Sequence, residues 1–247
     1  MAAAPQDRFL GGRLLLRQPA RGYRAGLDAA LLAAAVSVPE GQRALEAGCG
    51  VGAALLQTAV RSPGARFVGV ERDPAAVELA NGNIADNDLA ARVEVICADV
   101  QTPFSKLGLA PFDAAFANPP FFDDESALRA PAPDRREAWI ADGGLQVWTQ
   151  FLLKAVREGG IITLVHRADR LADILALLAP KAGSFRIRPV HPFADAPAKR
   201  VLVRAIKTGR APLILLPPLV LRDRGEASHR PEVEAIFRGE AALDWGD

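Results

Sequence analysis

The chain has 247 residues and a formal net charge of +1; 50% of its residues are apolar, 24% are charged, and two are cysteines. This is ordinary globular composition for one or two domains, and it excludes global disorder, a disulfide scaffold and a cysteine-built zinc site. The longest apolar runs, such as Leu213–Leu221, carry prolines and fall short of the roughly 20 residues of a membrane span, and residues 1–17 hold no signal-like stretch, so a cytoplasmic protein is expected.

In chain order, residues 28–37 read as a helix with Asp28 as its N-cap, ended by Pro39-Glu40-Gly41. Arg43–Ala47 is a short strand that runs into Gly48-Cys49-Gly50-Val51-Gly52, and residues 53–61 form the next helix. Arg66–Glu71 is a second apolar strand. Asp73-Pro74 then opens a helix, with an acid at the cap and proline in the first turn. Val93–Cys97 ends at Asp99, and Phe112–Ala117 ends at Asn118-Pro119-Pro120-Phe121. Residues 123–137 read as a loop. Leu145–Val156 is a helix ended by Gly159-Gly160, Ile161–Val165 a fifth strand, and 169–179 a helix. Phe185–Val190 and Arg200–Ile206 are strands, Leu213–Leu221 an extra strand or hairpin, and Pro231–Phe237 a closing helix.

Strands alternating with helices predict an α/β fold with a mostly parallel sheet and helices on both faces. Such a sheet binds ligands at the carboxyl ends of its strands, where Glu46 to Gly52, Glu71, Asp99 and Asn118 all fall. Glycines in the first loop permit a sharp turn and close approach of a ligand. Their spacing is G-x-G-x-G, not the pyrophosphate-cradling G-x-G-x-x-G. With the preceding Glu46, it suits a cofactor with a zwitterionic tail. Glu71 is placed to accept ribose hydroxyls, and Asp99 to accept an adenine amino group. Cys49 and Cys97 read as small packing residues. The three histidines are scattered and make no metal triad.

Asn118-Pro119-Pro120-Phe121 carries the reaction chemistry. An amino group conjugated to an aromatic ring is a poor nucleophile. Two acceptors, the Asn118 side-chain oxygen and the Pro119 carbonyl, suit its two N–H groups and would hold it beside an electrophile. The prolines stiffen the loop, and Phe121 offers a face for a base to stack on.

These features resemble the S-adenosylmethionine-dependent methyltransferases of the seven-stranded, Rossmann-like class I fold over about residues 40–206. The Asn-Pro-Pro-Phe motif resembles that of the amino-group methylators in this class. Gln18, the run from Gly22 to Leu32, Leu45-Glu46-Ala47-Gly48, Val70-Glu71-Arg72, Asn83-Ile84, Ala98-Asp99-Val100, Phe112-Asp113 and Pro218 to Arg222 narrow the match. Together they resemble the bacterial tRNA1(Val) adenine-N6 methyltransferase family, over about residues 8–237. The resemblance implies a catalytic set of Asn118, Pro119, Pro120 and Phe121. It implies cofactor contacts at Tyr23, Asp28, Glu46, Gly48, Cys49, Gly50, Gly52, Glu71, Arg72, Asp99, Val100 and Asn118. Tyr23, Arg24 and Asp28 would close over the S-adenosylmethionine. Glu46 and Phe121 depart from the family's commoner Asp and Tyr. The chain then reads as one methyltransferase domain: a basic, cofactor-closing segment (1–40), a catalytic core (41–206) and a C-terminal extension (207–247).

The implied reaction is methyl transfer to adenine N6 in tRNA, at position 37 of the tRNA-Val type. The alternatives are a guanine-N2 rRNA methyltransferase, a protein glutamine-N5 methyltransferase, a small-molecule amine methyltransferase or a non-catalytic binding module. Charge fits a nucleic-acid partner only locally. Residues 1–25 sum to +4 and 181–210 to +7, against −7 over 26–180 and −3 over 211–247. Arg129, Arg135, Arg136, Arg186, Arg188, Lys199 and Arg200 are therefore the expected phosphate contacts. No membrane and no metal are expected.

Overall fold

The computed structural model describes residues 6–19, 26–121 and 144–246. Tyr23, Arg24, Arg129, Arg135 and Arg136 lie outside the described residues.

The strands are β1 (Gln6–Phe9), β2 (Leu14–Arg17), β3 (Arg43–Ala47), β4 (Arg66–Glu71), β5 (Val93–Cys97), β6 (Phe112–Ala117), β7 (Val156–Arg167), β8 (Ala182–His191), β9 (Arg200–Lys207), β10 (Ile214–Leu215) and β11 (Leu219–Val220). The helices are α1 (Leu27–Ala35), α2 (Ala53–Arg61), α3 (Pro74–Asp86), α4 (Gly144–Ala155), α5 (Leu171–Leu178) and α6 (Pro231–Arg238). The main sheet has the order β10-β8-β9-β7-β6-β3-β4-β5, with β11 also paired to β8. Its seven long strands carry the class I order, and β9 alone among them runs antiparallel, to both β7 and β8. Two short parallel segments on the outer edge extend it to nine strands.

Side chains alternate across a strand, so each central strand feeds two cores. Ala44, Phe67, Ala114 and Phe116 pack with α1 and α2 on one face. Leu45, Val68, Ala115 and Leu164 pack with α4 and α5 on the other. Both faces are covered, and the strands are accordingly apolar on both sides. Asp73 caps α3 as its sequence predicts, accepting from the Ala75 N–H at 2.9 Å.

Three expectations are corrected. Asp28 does not cap α1: the cap is Gly26, and Asp28 lies within the first turn. The Gly159-Gly160 pair does not end a helix. α4 stops at Ala155, and both glycines lie inside β7, beside the register shift that separates the Phe112 and Ala114 pairings. A Cβ on Gly160 would sit 2.8 Å from the Arg157 carbonyl oxygen, so the bulge needs glycine there. Of the two readings of Leu213–Leu221, the extra strand holds and the hairpin does not. Pro217-Pro218 splits it into β10 and β11, and each pairs parallel with β8.

The basic N-terminal segment also forms an antiparallel hairpin, β1–β2. Asn83 on α3 and Asn87 at its C-cap pin it. Asn83 accepts from the Arg17 N–H (2.8 Å) and donates to the Arg17 and Val51 carbonyls; Asn87 accepts from the Leu15 N–H (2.9 Å). The hairpin's exit thereby brings Gln18 and Pro19 to the mouth of the glycine loop.

Candidate active site

A cavity of about 750 Å³ opens at the carboxyl ends of β3, β4, β5 and β6. Its wall brings together Glu46, Gly48, Cys49, Gly50, Glu71, Arg72, Asp99, Val100 and the whole of Asn118–Phe121. Gly52 lies one step further on, at the N-cap of α2. Trp148, Gln18 and Ala29 line the same cavity from α4, the hairpin exit and α1.

The first loop has the shape its glycines allow. Gly48 has φ +66°, and a Cβ there would lie 2.3 Å from the indole of Trp148. The loop is thus laid directly on a tryptophan that sequence periodicity marks only as core. Glu71 braces the loop: one carboxylate oxygen accepts from the Gly50 N–H and the other from the Asp73 N–H, both at 2.9 Å. Asp99 accepts from the Gln101 N–H at 2.8 Å and faces the Arg72 guanidinium at 3.7 Å.

Glu46 is 3% exposed. Burial, with help from nearby Glu71 and against one backbone hydrogen bond, pushes its carboxyl well above the usual carboxylate range. Its Oε2 has no hydrogen-bond partner among the described residues. A buried acceptor left unmatched is costly, about 1–3 kcal/mol, and a cationic amino group would relieve it. A Cβ on Gly50 would meet nothing within 4 Å, so the loop backbone faces open space. These are the donors, acceptors and room that an amino-acid-tailed nucleoside needs, and the site fits S-adenosylmethionine. Burial, then Glu46 and Glu71, push the Cys49 thiol up, consistent with an inert packing role.

The opposite side of the reaction motif is aromatic and basic. The Arg200 guanidinium lies over the Phe121 ring, 4.8 Å from its centroid, and its Nε donates to Asp28 at 2.9 Å. His166, at the end of β7, meets the same ring in a T-shaped contact with centroids 4.9 Å apart. Burial, reinforced by Arg167 and Arg200, lowers the His166 pKa to about 4, so the imidazole is neutral. His166 and Trp148 were missed at the sequence level. Only their position at, or under, a strand end marks them.

The expected phosphate contacts separate. Arg200 starts β9 and lies over Phe121 of the reaction motif, and Lys199 immediately precedes that strand. Arg186 and Arg188 instead lie on β8. Arg186 donates to the Trp245 and Gly246 carbonyls at 2.9 Å. Arg188 donates to the Pro217 carbonyl at 2.8 Å and also to that of Asp244. They hold the C-terminal tail, about three strand spacings from β6.

A family model described as "Methyltransferase small domain" matches residues 24–132. A tRNA1(Val) (adenine(37)-N6)-methyltransferase from Porphyromonas gingivalis is 31% identical over 210 residues, 80% of each chain. One from Yersinia pestis is 35% identical over 112 residues, 45% of each chain. Among solved structures, one described as a predicted O-methyltransferase from Agrobacterium tumefaciens superposes with a TM-score of 0.73. It is 29% identical and covers 88% of this chain and 98% of its own. Strand order, the acid-lined cavity with its Asn-Pro-Pro-Phe wall, and a relative at this identity over this length agree: the chain belongs to the tRNA1(Val) (adenine(37)-N6)-methyltransferase family.

Proposed function

We propose that this protein transfers a methyl group from S-adenosylmethionine to the exocyclic N6 of an adenine in tRNA, at position 37 of the tRNA1(Val) type. The observation that carries the reading is that Asn118-Pro119-Pro120-Phe121 walls the same cavity as the unmatched Glu46 carboxyl, Glu71 and Asp99.

The bound cofactor supplies an electrophilic methyl group. Every other requirement falls to the chain. Glu46 meets the amino end of the tail, Glu71 the ribose hydroxyls and Asp99 the adenine amino group. The Asn118 side-chain oxygen and the Pro119 carbonyl accept the two N–H groups of the incoming amine. Their hold draws the nitrogen's lone pair out of conjugation and aims it at the methyl group. An alcohol offers one donor and would leave one acceptor unmatched, which favours an amine over a hydroxyl. Phe121 provides the stacking face, worth roughly 1–3 kcal/mol per base. Arg200 lies over that ring, and with Lys199, the residue before it, it is the proposed contact to RNA phosphates.

The test is incubation of unmodified tRNA1(Val) transcript, ribosomal RNA and a release factor with labelled S-adenosylmethionine, followed by nucleoside and peptide analysis. N6-methyladenosine at position 37 is expected. Label in N2-methylguanosine, in glutamine or in a 2′-O-methyl ribose would overturn the reading.

A further inference from the structure

The Asp28–Arg200–Phe121 contact chain joins two places with different tasks. Asp28 stands in the first turn of α1, and the next residue, Ala29, lines the cofactor cavity. Phe121 ends the reaction motif. Arg200 spans them: its Nε donates to the Asp28 carboxylate at 2.9 Å, and its Cζ lies over the Phe121 ring, 4.8 Å from the centroid. The ion pair is largely sheltered, with side-chain exposures of 29% for Arg200 and 13% for Asp28. His166 also makes a T-shaped contact with the ring. Phe121 thus meets a cation whose own position is set by a carboxylate one residue from the cavity wall.

We propose that Arg200 is a positioning residue that couples the cofactor site to the base-stacking face of Phe121. The proposal rests on the methyltransferase reading above. Filling the cavity steadies the first turn of α1, Asp28 steadies Arg200, and Arg200 fixes the plane in which Phe121 receives a base. Linkage makes the effect reciprocal, so a base on Phe121 tightens cofactor binding by the same factor. Arginine is required because only a planar guanidinium can donate from its edge while stacking with its face.

The experiment measures the dissociation constant of S-adenosylhomocysteine by tryptophan fluorescence, with and without saturating tRNA1(Val) transcript. In the wild type the transcript should tighten binding about 5- to 20-fold. Arg200→Met should reduce that ratio to below 2 while S-adenosylhomocysteine alone binds within about 3-fold of wild type. Asp28→Asn should move the ratio the same way. Arg200→Lys, which keeps the charge and guards against a folding defect in the Met variant, should restore less than half of it. In parallel, Arg200→Met should raise the KM for RNA more than it lowers kcat.

A wild-type ratio near 1 overturns the coupling. So does an Arg200→Met protein that keeps the wild-type ratio, or one that loses S-adenosylhomocysteine equally with and without RNA. A wild-type protein that binds no S-adenosylhomocysteine sinks the methyltransferase reading itself. Binding and methylation without the ratio sink the coupling alone.

Discussion

The cavity has two halves built in opposite ways. The cofactor half, at the ends of β3, β4 and β5, is acidic and made of residues within a few positions of consecutive strand ends. The base half, around β6, β7 and β9, is aromatic and basic, and its central contact joins residues 172 positions apart. Each half buries one ionisable group, and burial disfavours the charged form of both. Burial pushes the Glu46 carboxyl up in the first and the His166 imidazole down in the second. The cofactor half keeps an acceptor ready for a cation; the base half keeps a neutral ring against the stacking face. The difference teaches that one pocket can keep an unmatched acid for a cofactor's amino group and a polarisable face for a base by burying both ends.

The predictions break or sharpen this contrast. The largest effect should come from the motif between the halves. Asn118→Ala should lower kcat about 10²- to 10³-fold, the usual cost of losing one pre-aimed partner in a transition state. S-adenosylhomocysteine affinity should stay within a few fold, and a matching loss there would move Asn118 into the cofactor half.

Gly48→Ala should destabilise the protein by about 2–4 kcal/mol, because the new Cβ collides with Trp148 at a left-handed backbone position. Trp148→Leu in the same chain should recover part of the loss, and denaturant melts of the two variants check it.

Glu46→Gln should weaken S-adenosylhomocysteine binding about 10- to 100-fold, a loss read by titration at pH 7.5. The sign of its stability effect follows from the raised carboxyl. The folded state holds this proton where the unfolded state has released it, so the wild type loses stability as pH rises above about 4.5. The Gln variant should be free of that slope.

His166 titrates the other way. Its folded pKa of about 4 lies below the ordinary 6.5, so the unfolded state binds the extra proton and stability falls as pH drops through that window. Between pH 7 and pH 5 the loss should be roughly 2 kcal/mol. His166→Phe should remove it and leave cofactor affinity unchanged. Melting temperatures of wild type and both variants across pH 5–8 separate the two slopes.

The smallest effect concerns the distant arginines. Arg186→Ala should lower stability by about 1 kcal/mol through its tail carbonyls and leave the salt dependence of tRNA binding unchanged. A flattened salt slope would return β8 to the RNA face.

Most of the core was legible because its signals are local. The strands β3 to β6 and their terminal residues stand in the sequence as apolar runs stopped by Gly48, Glu71, Asp99 and Asn118. Segments that depend on partners were not legible. The hairpin β1–β2 is held by Asn83 and Asn87 from a helix about 70 residues away. The bulge at Gly159-Gly160 reads locally as a helix stop. Charge was the least legible. Arg186, Arg188 and Arg200 fall in one basic run, yet the first two anchor the tail and the third stacks on Phe121.

The sequence by itself determined the sheet's parallel core, the acids at its carboxyl edge and the amine-directed motif, because strand period, caps and glycine turns are set by neighbours along the chain. Tertiary structure alone decided which cations face the reaction motif, why Gly48 admits no side chain, and how Asp28 comes to hold Arg200. Those outcomes depend on which strands lie side by side, and sheet order β8-β9-β7-β6 is a property of the packed chain. The near-zero net charge of +1 thus describes no face of this molecule. Folding sorts the same charges into an acid-lined cofactor seat and a basic, aromatic rim.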